Sequence, residues 1–308
     1  MAPANETTLS LTPPAPFNFA EAAYSHGWVV LAPNRWDSTR QVLQRTERLS
    51  NGTRVHLNIT GSDTIETPEI TIQVRHAKTL SPEERSEITT SVGHMFRCDE
   101  DLTEFYALCR KRGGHWIKIT QGLGYLLRSP TLFEDIVKTI CTTNIQWSGT
   151  KRMVEGLVQA LGTPYPGDPS LRAFPTPEAI AAAPSKTFTE TVHLGYRGRY
   201  IHELAAQVVA GILDLNALQD PTLSTPVLKK KLLAIKGVGN YAAATLLMLL
   251  GRYDALAIDT VFRDFVSKKY FEDRIPSEEE ARSIYASWGK WQYLAYWFDL
   301  WQGLDETL

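Results

Sequence analysis

Within the stretch IKGVGNYAAATLLMLLGRYDALAID stand two glycines, Gly237 and Gly239, and, 20 residues beyond the second, a carboxylate, Asp259. Glycine has no Cβ, so Gly237 and Gly239 permit backbone conformations and a closeness of approach that other residues block. The run LLAIKGVGNYAA reads as a helix, a tight turn and a second helix that opens at Gly239. The first N–H groups of a helix have no internal partners, and with the helix dipole behind them they suit a phosphate. Lys236 places a cation inside the same turn. Binding of this kind is electrostatic and sensitive to salt. Taken alone, the Gly-x-Gly pattern is also met where a helix simply stops at glycine and turns. The run AAATLLMLL after it reads as core.

Asp259 begins the segment AIDTVFRDF, which has the pattern of a helix start, and an aspartate there serves as an N-cap. The cap and a chemical role are compatible, because the dipole at a helix N-terminus favours the ionised carboxylate. An anion held there can stabilise positive charge that develops in a reacting group. The same carboxylate can orient or deprotonate a water.

These groups need a scaffold. The chain has 308 residues, 43% hydrophobic and 21% charged, with a formal net charge of −2. That is globular composition with room for more than one domain. The balanced charge demands neither nucleic acid nor membrane as a partner, so either must be argued from a local face. Cys98, Cys109 and Cys141 are the three cysteines, too few for a four-cysteine iron–sulfur cluster. No apolar run reaches membrane-spanning length and residues 1–16 lack the pattern of a signal peptide, which predicts a cytoplasmic protein.

Residues 1–16, rich in proline and polar side chains, read as a flexible tail. Residues 17–100 carry strand texture: GWVVLAP, RQVLQRTERL, TRVHLNIT and EITIQVRHA alternate or are β-branched, with NGT and GSD as turns. An antiparallel sheet with one wet face follows. From residue 101 to 308 the texture is helical. SPTLFEDIVKTICTTN suggests Ser129 as a cap with Pro130 in the first turn, and the hairpin occupies 226–250. The fold class is therefore α+β, mainly α: an N-terminal antiparallel β domain, then an all-α domain. The charge runs LKKKLL (Lys229 to Lys231) and SEEEAR read as a solvated face and an acidic helix start.

The hairpin LLAIKGVGNYAA and the segment AIDTVFRDF together resemble the helix-hairpin-helix DNA glycosylase superfamily, and several segments are similar to its 8-oxoguanine and 3-methyladenine branches. The resemblance is strong from about residue 123 to 301 and loose over the sheet. It implies that the hairpin amides at Gly237, Val238 and Gly239 grip a DNA phosphate. It implies that the backbone carbonyls of Leu233, Ile235 and Val238 hold a sodium or potassium ion, with no other cofactor. It makes Asp259 catalytic. Members that also cleave the strand carry a lysine two residues after the second glycine, and here that position is Tyr241. The resemblance thus implies a monofunctional enzyme that leaves an abasic site.

Three further residues match the superfamily's DNA-reading positions. Asn144, in ICTTN, matches an asparagine that fills the gap left by a flipped base. Tyr196 and Arg197, in LGYRGRY, match a tyrosine that wedges into the stack and an arginine that contacts the orphaned cytosine. Such plug and wedge residues offset the few kcal/mol that extracting a base costs. In the C-terminal helix, Gln292 and Tyr296 match residues that read and stack on the base, and they share a helix face at i, i+4. Trp288 and the nearby Trp291, Trp297 and Trp301 suggest an aromatic pocket or simply core. Two departures stand out: a second cytosine-reading arginine falls on Gly149, and the glycine whose carbonyl reads 8-oxoguanine has no counterpart near LAPNRW. The expected partner is double-stranded DNA with a damaged purine, bound by a monomer. The alternative is a DNA-structure-binding protein that uses the same hairpin without chemistry.

Overall fold

The computed structural model describes residues 5–256 and 258–305, which divide into two compact units, Met1–Leu215 and Asn216–Leu308. The first unit holds a five-stranded antiparallel sheet of order β1-β5-β4-β3-β2, built from β1 (Asn5–Leu11), β2 (Arg35–Asp37), β3 (Val42–Arg48), β4 (Arg54–Gly61) and β5 (Ile70–His76). Alternation decides which face is buried. Ile70, Ile72 and Val74 of β5 and Val55, Leu57 and Ile59 of β4 are inside; the residues between them are more open except His56, which is buried on the other face. Each such side chain contributes about 1.5–3 kcal/mol on burial.

Helices follow in the same unit: α1 (Phe19–Tyr24, ahead of β2), α2 (Pro82–Met95), α3 (Thr103–Arg112), α4 (Trp116–Ile119), α5 (Leu132–Thr142) and α6 (Trp147–Leu161). A short hairpin, β6 (Pro164–Tyr165) with β7 (Asp168–Arg172), precedes α7 (Pro177–Ala181) and α8 (Arg197–Val209). Helix α5 is the axis of the unit, with every residue from Leu132 to Cys141 buried. It carries Glu134, Asp135 and Lys138 inward, and each finds partners. Arg45 of β3 grips Glu134 with both terminal nitrogens (3.0 and 2.6 Å), and Lys138 Nζ lies 2.6 Å from Glu134. Trp28 Nε1 donates to Asp135 at 2.7 Å. Burial alone would raise the Glu134 carboxyl, yet Arg45 and Lys138 hold it down to about 2.

Three expectations are corrected here. The stretch expected as a flexible tail, 1–16, holds a strand: residues 5–11 form β1 and pair along the whole of β5, residues 1–4 lying outside the described residues. The compact units divide at 215 rather than 100, and within the first unit β3 is joined to α5 through Arg45 and Glu134. The stretch GWVVLAP is not a strand, since Gly27–Val30 form a 3-10 turn that delivers Trp28 to Asp135. The start of α5 shifts as well. Thr131 is its N-cap, while Ser129 donates its N–H to Asp135 (3.0 Å) and accepts from Lys138 (3.3 Å).

The second unit is helical: α9 (Thr225–Leu233), α10 (Asn240–Leu249), α11 (Thr260–Tyr270), α12 (Glu278–Ala286) and α13 (Gln292–Asp305). Its core includes Leu228, Leu232, Leu246, Leu247, Phe262, Tyr285 and Leu294. The fully buried Asp299 of α13 accepts from Lys269 (2.8 Å) and Tyr270 (2.5 Å) of α11 and from Tyr285 (2.6 Å) of α12. One carboxylate thus ties three helices together. The antiparallel sheet near the N-terminus with helices after it is the expected fold class.

Candidate active site

The hairpin lies within the second unit. Helix α9 ends at Leu233, Ile235 N–H donates to the Leu232 carbonyl (3.1 Å), and Val238 N–H donates to the Ile235 carbonyl (3.0 Å). That last bond closes a turn through Gly237, whose φ of +88° requires glycine. Ile235 and Val238, each 5% exposed, pin the turn to the core, and Lys236 stays at the exposed tip. Gly239 is different. It is the N-cap of α10 in an extended conformation (φ −90°, ψ −172°) that any residue adopts, and a Cβ there would meet nothing within 4 Å. Neither the backbone nor the packing of the protein demands glycine at 239. No side chain caps α10, so its first-turn amides face outward.

Asp259 caps α11, its Oδ1 accepting the Phe262 N–H at 2.8 Å. That bond fixes the carboxylate at the positive end of an 11-residue helix. It lines a cleft of about 230 Å³ together with Tyr241, Lys229, Leu247, Leu256 and Arg282. Tyr241, 47% exposed, stands on the first turn of α10. Arg282 is paired with Glu278, also on the cleft wall, at 2.8 Å.

Tyr296 and Tyr293 of α13 are buried, their rings T-shaped at 6.1 Å. Burial pushes both phenols above their ordinary range, and the nearby Asp259 carboxylate and Tyr241 push the same way. Both hydroxyls therefore stay neutral within the field of Asp259. The ring of Tyr296 is packed among Phe262, Phe265 and Tyr285. Trp288 is 3% exposed, a core residue, and Gln292 donates its amide to the Gly289 carbonyl at 2.9 Å. Among the described residues lining the cleft, none of Trp288, Gln292 and Tyr296 appears.

The first unit brings Asn144, Tyr196 and Arg197 together at one tip. Asn144 follows α5 with φ +48°, the left-handed conformation that asparagine tolerates. Its amide donates to the Tyr196 hydroxyl at 3.2 Å. Hydrogen bonds from Thr143, then from Asn144, lower the Tyr196 phenol below its ordinary range. Arg197 stacks its guanidinium 4.6 Å from the Tyr196 ring centroid and donates to the carbonyls of Thr143 and Asn144. Tyr196 is 50% exposed but Arg197 only 6%. The expected wedge is open, whereas the arginine expected to reach a base is tied into the loop that shapes Asn144. Gly149 is buried, and a Cβ there would strike Ile145.

The family model described as HhH-GPD superfamily base excision DNA repair protein matches residues 137–290, half of the chain. The chain belongs to this superfamily. Its fold is similar to that of solved DNA glycosylases. One is a 3-methyladenine DNA glycosylase from Archaeoglobus fulgidus, at 20% identity, with 96% of this chain and 98% of that chain covered and a TM-score of 0.74. Another is an 8-oxoguanine glycosylase/lyase from Clostridium acetobutylicum in complex with DNA, at 18% identity over 86% and 89% of the two chains, with a TM-score of 0.61.

Sequence reading missed four residues around the cleft of this HhH-GPD protein. Lys229 reads as part of a solvated face and Glu278 and Arg282 as part of an acidic helix start, and Tyr293 carries no reading at all. Their signal is spacing: Glu278 and Arg282 stand at i, i+4 on α12, and Tyr293 precedes Tyr296 by three residues on α13.

Proposed function

We infer that this protein is a monofunctional DNA glycosylase: it flips a damaged purine out of double-stranded DNA and hydrolyses its N-glycosidic bond, leaving an abasic site. The observation that carries the reading is Asp259, capped onto α11 and lining one cleft with Tyr241, which stands where strand-cleaving members carry their lysine. As the bond from sugar C1′ to the base breaks, its electron pair leaves with the base, and the Asp259 carboxylate stabilises the cationic sugar. A water then adds at C1′ and gives its proton to the carboxylate. Tyr241 itself offers no amine for a Schiff base with the sugar.

Around that centre, the free amides at Gly239 and the first turn of α10 support phosphate binding at the hairpin. The bare surface at Gly239 leaves room for the close approach. The carbonyls of Leu233, Ile235 and Val238 are an all-oxygen set without carboxylates, which fits a monovalent hard cation, and a carbonyl already bonded, as at Ile235, keeps a second lone pair. Such an ion would hold the turn in shape and takes no part in the bond cleavage. Asn144 and Tyr196 fit the plug and wedge. Gln292 and Tyr296 remain candidates for the wall behind the base.

Base release from a panel of duplexes carrying oxidised or alkylated purines tests the reading. Release from at least one lesion, falling by about 100-fold or more in Asp259→Asn, is the expected result. Release from none, with Asp259→Asn behaving like wild type, would leave a DNA-structure binder without chemistry; release that survives unchanged in Asp259→Asn would remove Asp259 from the reaction.

A further inference from the structure

The lysine run before the hairpin does not behave as one solvated face. On α9, Thr225, Leu228 and Leu232 are buried and form the core stripe. Lys229 stands one step of about 100° from that stripe, half-buried, and lines the cleft with Tyr241 and Asp259. Lys230 and Lys231 differ: neither is on the cleft wall. Among the cleft's charged groups, Arg282 is bonded to Glu278 and Asp259 to the amide of Phe262. Lys229 makes no ion pair or side-chain hydrogen bond among the described residues. The cleft therefore offers one uncommitted cation and one anchored anion across a space of about 230 Å³.

A nucleotide undergoing base loss carries the complementary pair, an anionic phosphate and a sugar that becomes cationic. The reversed placement would set phosphate against carboxylate and sugar cation against ammonium. We propose that Lys229 binds the phosphate of the nucleotide whose sugar faces Asp259, and so sets which way that nucleotide lies in the cleft. The assignment rests on the cleft being the nucleotide site. A lysine serves a phosphate here as a compact point charge.

The test is equilibrium binding to a duplex holding a tetrahydrofuran abasic analogue, titrated across salt concentration, for wild type, Lys229→Gln, Lys229→Arg and the control Lys230→Gln. One lost phosphate contact removes about 0.9 from the slope of log affinity against log salt. Lys229→Gln is expected to lose that increment and to weaken binding more than it lowers the single-turnover rate at saturation. Lys229→Arg keeps the slope, and Lys230→Gln matches wild type. An unchanged slope in Lys229→Gln overturns the proposal, and so does an equal loss in Lys230→Gln, which would indicate a diffuse field. A borohydride-trapped adduct on abasic DNA that disappears in Lys229→Gln also overturns it, since the amine would then be acting on the sugar. Failure of the underlying reading looks different: wild type would not prefer the abasic analogue to intact duplex, and Asp259→Asn would not impair excision.

Discussion

The tip of the first unit and the cleft of the second solve opposite problems. At the tip, Asn144, Tyr196 and Arg197 are bonded to one another and to the Thr143 loop, and none is left as a loose charge. In the cleft, Asp259 and Lys229 face a space with their charged ends uncommitted to each other. The tip is built for shape and the cleft for charge. Shape tolerates the loss of one hydrogen bond, whereas charge placed for a transition state does not.

The comparison breaks most sharply at Asp259. In Asp259→Asn, single-turnover excision is expected to fall by about 100-fold or more, with affinity for duplex nearly kept. A comparable loss of rate in a tip variant would erase the distinction. The next largest effect is on stability. Glu134→Gln leaves Arg45 and Lys138 buried without their shared anion, which costs about 3–5 kcal/mol, read as a lower denaturant midpoint. Because the folded Glu134 carboxyl sits at about 2, below its ordinary 4.5, its contribution is full above the ordinary value and fades as pH falls toward 2. The variant should lose that part of the acid dependence.

Acid also separates the units. All seven histidines of the sequence lie at or before His202, in the first unit. Burial pushes His26, His56 and His94 down to about 4 from 6.5. The unfolded chain then binds protons that these residues refuse when folded, so stability is lost as pH falls from 6.5 toward 4. Hydrogen exchange at pH 7 and pH 5 should show amides of the sheet and α5 opening more readily at pH 5. Those of α10 and α11 should change less. Equal changes would contradict it. The smallest effect is at the wedge: Tyr196→Phe removes the bond from Asn144 but keeps the ring. A cost of about 0.5–1.5 kcal/mol corresponds to a few-fold slower excision, and Tyr196→Ala should cost more.

Local signals in the sequence were legible where one element carried them. The Gly237–Gly239 turn, the Asp259 cap and the alternation in β3, β4 and β5 each rest on neighbours in the chain. What depended on distant partners was not legible. Arg197 reads as an exposed arginine in a glycine-rich loop, and only the carbonyls of Thr143 and Asn144, more than 50 residues away, bury it. Trp288 sits in an aromatic-rich segment, and packing from elsewhere makes it core. Lys229 hid inside a run of three lysines, because periodicity sets one apart only when the burial of Leu228 and Leu232 is known.

One consequence concerns handling of the chain. Strand β1 covers all seven residues of β5, from Asn5 opposite His76 to Leu11 opposite Ile70. Trimming the first dozen residues as dispensable would bare a straight β5 rich in Ile and Val, its backbone ready to pair with another copy. Such an edge is a template for aggregation. A shortened chain should therefore accumulate as inclusion bodies or sheet-linked oligomers, although none of residues 5–11 lines the cleft.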